Sequence, residues 1–251
     1  MGCFVAYVTC GDPSPEAMPE ILESLDRAGV DIIELGLPFS DPLADGPTIQ
    51  AASGRALAAG TTVPRCLEIL SEYRKRSATP VVIFTYLNPI FCYGLERFVA
   101  DAAECGADGL LVLDMPPEEL ASETSPNGQL DTIRLVAPTT PPARMEAICR
   151  GATGFIYYVS REGVTGERQE VAASLPDQLK LLRQFTNLPV VVGFGISTPR
   201  QAAEVARVAD GVVVGSAIVR RIAERDPTRP LGQVIEDFVK PIAKAVHQKD
   251  A

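Results

Sequence analysis

Short apolar runs and amphipathic stretches alternate along the whole chain. The runs predict strands at Phe4–Thr9, Asp31–Leu35, Pro80–Thr85, Gly109–Leu113, Thr132–Val136, Gly154–Val159, Pro189–Val192 and Gly211–Val214. Several are unbroken (VVIF, LLVL, VVV), as in strands covered on both faces rather than strands with one wet face. Between them, helical spacing predicts helices over Pro15–Ala28, Val63–Ser77, Leu95–Glu104, Ala143–Cys149, Asp177–Phe185, Thr198–Val208 and Leu231–Val246. Ser14 ahead of Pro15, and Ser197 or Thr198 ahead of Pro199, supply an N-cap followed by proline in the first turn. Eight strands alternating with helices predict an α/β fold, a (β/α)8 or TIM barrel forming a single domain over residues 1–251.

Three local echoes, AGVDIIELG, CGADGLLVLD and VADGVVVGS, set Asp31, Asp108 and Asp210 at strand starts. Barrel chemistry gathers at the opposite, C-terminal strand ends, so these three read as structural. The segments after strands 2 and 6 carry extra sequence, PFSDPLADGPTIQ and SREGVTGERQEVAASLP. Long loops on that face are where function is expected.

Composition narrows the function. The chain has 251 residues, 46% hydrophobic, and a net charge of -9 with only short basic clusters at Arg74-Lys75-Arg76 and Arg220-Arg221, which argues against a nucleic-acid surface. No apolar run reaches the roughly 18 residues of a membrane span, and no basic-then-apolar leader is present, so neither a membrane span nor a secretory signal is expected. Met1-Gly2-Cys3 fails as a myristoylation signal because position 6 is Ala. The six cysteines show no metal-ligand spacing and read as reduced core residues of a cytoplasmic protein. With one histidine, His247, near the C-terminus, acid–base work falls to carboxylates, and no metal site is expected.

Glu34 ends strand 2 in the apolar run DIIELG. An acid buried there has its pKa raised toward the range useful for proton transfer at neutral pH. Asp45, 11 residues on, is a candidate second acid, with Asp41 as competitor because Ser40-Asp41-Pro42 also fits a turn. Gly195, in GFGIS after strand 7, and Gly215-Ser216, leading from strand 8 into a short helix, fit a phosphate cradle of backbone N–H groups. Gly163-Val164-Thr165-Gly166 after strand 6 adds donors. Tyr7, Phe84, Leu111, Tyr86 and Tyr157 fall near upper strand ends and are candidate pocket walls. Asp114 reads equally as site lining or cap, and Arg161 as an ion-pair partner of Glu162 or Glu167.

The segments ELGLPFSDPLADGPTIQ (34–50), YVTCGDP (7–13), YYVSREGVTG (157–166), GFGIS (193–197) and GSAIV (215–219) closely resemble the tryptophan synthase alpha-subunit family over nearly the whole chain. That resemblance implies a lyase of tryptophan biosynthesis: retro-aldol cleavage of indole-3-glycerol phosphate to indole and glyceraldehyde 3-phosphate, with no metal or organic cofactor. It assigns Glu34 as catalytic acid/base and Asp45 as the acid engaging the indole N–H. It assigns Gly166, Gly195, Gly215 and Ser216 to the phosphate, Tyr157 to the pocket, and Thr165 to a loop that closes on Asp45. The implied partner is a pyridoxal-phosphate beta subunit in an alpha2-beta2 heterotetramer, with Asp41 and Asn88 in partner-facing segments. Two departures from the family pattern stand out. The sequence reaches Phe4 without the family's usual helix before strand 1, which implies either a less covered barrel bottom or a sequence that starts late. Pro126 and Gly128 in SETSPNGQ predict a shortened fourth helix. The alternatives are a stand-alone lyase releasing indole, a silent barrel acting as regulatory partner, and a flavin-binding barrel.

Overall fold

The computed structural model describes residues 2–116, 128–159, 174–193 and 195–248. The strands are β1 (Cys3–Thr9), β2 (Ile32–Gly36), β3 (Val81–Thr85), β4 (Gly109–Val112), β5 (Asp131–Thr132), β6 (Arg134–Val136), β7 (Ile156–Val159), β8 (Val190–Gly193) and β9 (Gly211–Val214). They form one nine-stranded sheet in the order β5-β4-β3-β2-β1-β9-β8-β7-β6, with every pairing parallel. β5 bonds to β4 and β6 to β7, with only Ile133 between them. They are two ends of one element: its start closes on β4, its end on β7. The strand expected over Thr132–Val136 is therefore interrupted at Ile133, whose N–H still reaches the Leu110 carbonyl at 2.9 Å, and the described strands make eight staves.

Among the described residues the outer helices are α1 (Met18–Arg27), α2 (Pro47–Ala58), α3 (Val63–Arg74), α4 (Leu87–Tyr93), α5 (Leu95–Glu104), α6 (Pro142–Arg150), α7 (Leu175–Leu182), α8 (Pro199–Ala206), α9 (Ser216–Ala223) and α10 (Leu231–His247). None among the described residues is long and apolar enough to cross a membrane. The expected helix over Pro15–Ala28 begins as a 3-10 turn, Pro15–Ala17, and Ser14 makes no side-chain cap bond. Thr198 does cap α8, accepting from the Gln201 N–H. α2 and α4 lie where no helix was expected. The expected interruption at SETSPNGQ falls mostly outside the described residues.

Strand parity divides the core. Even positions of β1, such as Phe4, Ala6 and Val8, pack outward against the helices, whereas Val5, Val82, Leu111, Ile133, Phe155, Tyr157, Val191 and Val213 fill the barrel interior. The three echoed aspartates share one structural task. The side chains of Asp31, Asp108 and Asp210 accept the backbone N–H of Phe4, Val81 and Val190 at 2.7, 2.8 and 2.9 Å, while in all three cases their own N–H groups bond back to those same residues' carbonyls. Each thus ties the first rung between neighbouring strands. His247 joins this layer through Nε2 to Asp31 Oδ2 at 2.8 Å, and Val246 packs on Gly2, so the end of α10 covers part of the barrel bottom. All six cysteines are free thiols; Cys10, Cys66 and Cys149 are buried as expected, but Cys92 is exposed.

Candidate active site

Glu34 faces inward on β2, level with Tyr7 on β1 and Val82 on β3. It is 0% exposed, and among the described residues neither carboxylate oxygen has a hydrogen-bond partner. Val82, level with it, belongs to the apolar plug of the barrel interior, so among the described residues no partner compensates an ionised form. Burial pushes its pKa from 4.5 up to about 8.

Asp45 closes the loop after β2, one residue before Gly46, the N-cap of α2. Its Oδ2 accepts the Tyr86 hydroxyl at 3.1 Å, and the same hydroxyl accepts the Ala44 N–H at 3.0 Å. Gln50 Nε2 donates to the Asp45 carbonyl at 2.9 Å. Partial burial raises the Asp45 pKa to about 6 against the opposing pull of the Tyr86 hydrogen bond. Asp41, its competitor by sequence, is exposed and takes the hydroxyl of neighbouring Ser40. The two acids share one mouth. The Tyr7 and Tyr157 hydroxyls are driven to higher pKa first by burial and then by the charges of both Asp45 and Glu34.

Aromatic side chains wall this mouth. Tyr7 meets Phe84 edge to face at 5.1 Å between centroids and packs with Ile49, Ala52 and Val219. Its hydroxyl pairs with Thr9 Oγ1 at 3.3 Å and lies over Gly36, where a β-carbon would stand 2.2 Å from it. Leu111 sits in the apolar plug. Asp114 is exposed and accepts the Leu87 N–H at 2.7 Å, so it starts α4 rather than lining the mouth.

On the opposite side, β8 and β9 run paired, with Val192 beside Val212, and their exits carry Gly195 and Gly215. Gly195 has a left-handed φ of 82°. Gly215 is the N-cap of α9 and Ser216 its first residue, so the unpaired N–H groups of that helix open toward the loop. Arg161, Thr165 and Gly166 lie outside the described residues. Among the described residues, no group of three or more His, Cys, Asp or Glu side chains is placed to hold a metal ion.

A buried carboxyl poised near neutrality, a second acid held by a tyrosine, and a glycine-lined helix start lie on the face where (β/α)8-barrel enzymes carry their chemistry. The family model described as the tryptophan synthase alpha chain matches residues 1–247. The tryptophan synthase alpha chain of Geobacter sulfurreducens is 49% identical over 244 residues, 96% of this chain and 92% of that protein. That of Gloeobacter violaceus is 52% identical, covering 96% and 88%. The crystal structure of tryptophan synthase subunit alpha from Legionella pneumophila str. Paris superposes with a TM-score of 0.89 at 37% identity, covering 98% of this chain and 93% of that one. The chain belongs to the tryptophan synthase alpha chain family.

Sequence reasoning missed two features of the mouth. Tyr86 was read only as a wall, whereas its hydroxyl holds Asp45. The Asp12–Arg55 ion pair, described below, was not foreseen at all. α2 had a usable signal: Gly46-Pro47 at its start, an alanine-rich body and Gly60 with positive φ just beyond its end.

Proposed function

We propose that this chain cleaves indole-3-glycerol phosphate to indole and glyceraldehyde 3-phosphate, with Glu34 as the mobile acid/base and Asp45 as the fixed acid. The observation that carries the reading is Glu34: fully buried, with no partner among the described residues for either oxygen, in a mouth that also holds Asp45. With its pKa near 8, Glu34 starts protonated at neutral pH. It delivers that proton to C3 of the indole ring. The positive charge that develops over the ring nitrogen is stabilised by the Asp45 carboxylate, which at a pKa of about 6 is mostly ionised at pH 7. Glu34, now a carboxylate, takes the proton of the glycerol hydroxyl next to the ring. The bond from that carbon to C3 breaks, its electron pair returns to the ring, and the hydroxyl carbon becomes the aldehyde. One proton leaves Glu34 and one returns, so the enzyme ends as it began.

Tyr7, Phe84 and Tyr157 form the apolar wall for the indole, and the Gly195, Gly215 and Ser216 backbone with the α9 start takes the phosphate. Indole then passes to a tryptophan synthase beta subunit in an alpha2-beta2 assembly. Support for a docking face comes from Leu43, 92% exposed beside Asp41, and Phe91, 69% exposed on α4 with Asn88. The test is indole release from indole-3-glycerol phosphate by the purified chain, alone and with a beta subunit. Turnover that rises with the beta subunit and falls by about 100-fold or more in Asp45→Asn, with substrate still bound, is expected. Absence of indole release under both conditions overturns the reading, and turnover untouched by the beta subunit favours a stand-alone lyase.

A further inference from the structure

Helix α2 begins at Asp45's doorstep, and its far end is fastened to the loop after β1 at two points. The first is an ion pair. The Asp12 carboxylate, 1% exposed, accepts Nε and Nη2 of Arg55 at 2.7 and 2.8 Å, a two-pronged contact that fixes direction as well as distance. The second is a close approach beside it. Gly11 adopts a φ of 84°, and a β-carbon there would fall 1.9 Å from Thr61 Oγ1, so the chain leaving α2 lies directly on this loop. Along its inner face α2 meets the mouth through Ile49 and Ala52, which pack on Tyr7 and Val219. Apolar contacts of this kind are non-directional and tolerate sliding, whereas a bidentate guanidinium–carboxylate pair does not.

We propose that Asp12 and Arg55 are a positioning pair for the fixed acid: by locking α2 against the β1 loop they set the depth at which Asp45 projects into the mouth beside Glu34. This rests on the reading of Asp45 as the second acid. The link runs from Asp12 to Arg55, along α2 to Gln50, whose side chain holds the Asp45 carbonyl, with Tyr86 holding the carboxylate from the other side. In this proposal the pair acts through α2 and not on the reacting atoms. A displacement of about 1 Å in a reacting group lowers turnover by roughly 100-fold without abolishing binding, so the pair acts on kcat while the phosphate grip near β8 and β9 holds KM.

The informative variants are Asp12→Asn and Arg55→Lys. Arg55 is 37% exposed, so in Asp12→Asn its guanidinium turns to water and no charge is stranded; Arg55→Lys keeps the charge but loses the two-pronged geometry. Indole release is measured from pH 5 to 9 in wild type, both variants, Asp45→Asn and the Asp12→Asn/Asp45→Asn double variant, with unfolding midpoints confirming that each is folded. Expected in Asp12→Asn is a kcat lowered about 10- to 100-fold, KM within about 2-fold, and an acid limb displaced below its wild-type position as water reaches Asp45. Arg55→Lys gives a smaller loss of the same kind and carries the test if Asp12→Asn does not fold. In the Asp45→Asn background the Asp12 substitution has no further effect. Unchanged kcat in folded variants, or the same fold-loss in both backgrounds, overturns the positioning role. Wild-type kcat in Asp45→Asn itself overturns the assignment of the acid instead.

Discussion

Replacing Glu34 by Gln should make the protein more stable at alkaline pH while removing its activity. The carboxyl is buried with neither oxygen partnered among the described residues, and its pKa moves from 4.5 in the unfolded chain to about 8 in the folded one. At 1.36 kcal/mol per unit, ionising it inside the fold costs roughly 5 kcal/mol more than in the unfolded chain, and relaxation with water entry brings this to about 3–5 kcal/mol. The sign follows from the raised value. Glu34 contributes its full stability below pH 4.5, where it is protonated in both states, and that contribution is lost as pH climbs through about 8. Glutamine has the same shape and does not titrate, so its own burial cost is a constant offset. Urea unfolding of wild type and Glu34→Gln from pH 5 to 9 isolates the effect, because other titrating groups cancel in the difference. The variant should gain on wild type by about 1.4 kcal/mol per pH unit between pH 5 and 8 and level off above. Parallel stability profiles would refute the claim that burial tunes this carboxyl.

The other expectations concern the walls and supports of the mouth. Gly36→Ala places a methyl 2.2 Å from the Tyr7 hydroxyl and 2.6 Å from its ring carbon Cζ, so it should cost about 1–3 kcal/mol in urea unfolding, with part recovered in Gly36→Ala/Tyr7→Phe. Tyr86→Phe removes the donor that lowers the Asp45 pKa, so the acid limb of the kcat/KM–pH profile should move upward from about 6; an unmoved limb would contradict the bond. Asp210→Ala removes the acceptor of Val190 N–H and of Arg183 at the far end of the barrel. It should destabilise by about 1–3 kcal/mol with kcat unchanged, and a kcat loss in the folded variant would place function where only structure is expected.

Barrel strands were legible because a stave buried on both faces needs a continuous apolar run, as in VVIF, LLVL and VVV, and each was placed within a residue or two. Helix α2 was not, because its buried face is made of Ile49, Ala52, Ser53 and Ala56, too small to contrast with its exposed alanines. The break at Ile133 follows from barrel closure, a tertiary demand with no local signal. Glu34 stood out as an acid in an apolar strand. Asp45 was set ahead of Asp41 by the family resemblance, but its contact with Tyr86, 41 residues away, and that of Asp12 with Arg55, across 43 residues, were not legible; contacts of that span carry no periodicity for a sequence to display.

The central claim is that one buried carboxylate moves the proton in carbon–carbon cleavage, and its most direct test is the rate of indole release by Glu34→Gln at pH 7. A fall of about 100- to 10,000-fold, with indole-3-glycerol phosphate bound as tightly as by wild type, is the predicted result. Turnover within a few-fold of wild type would contradict it.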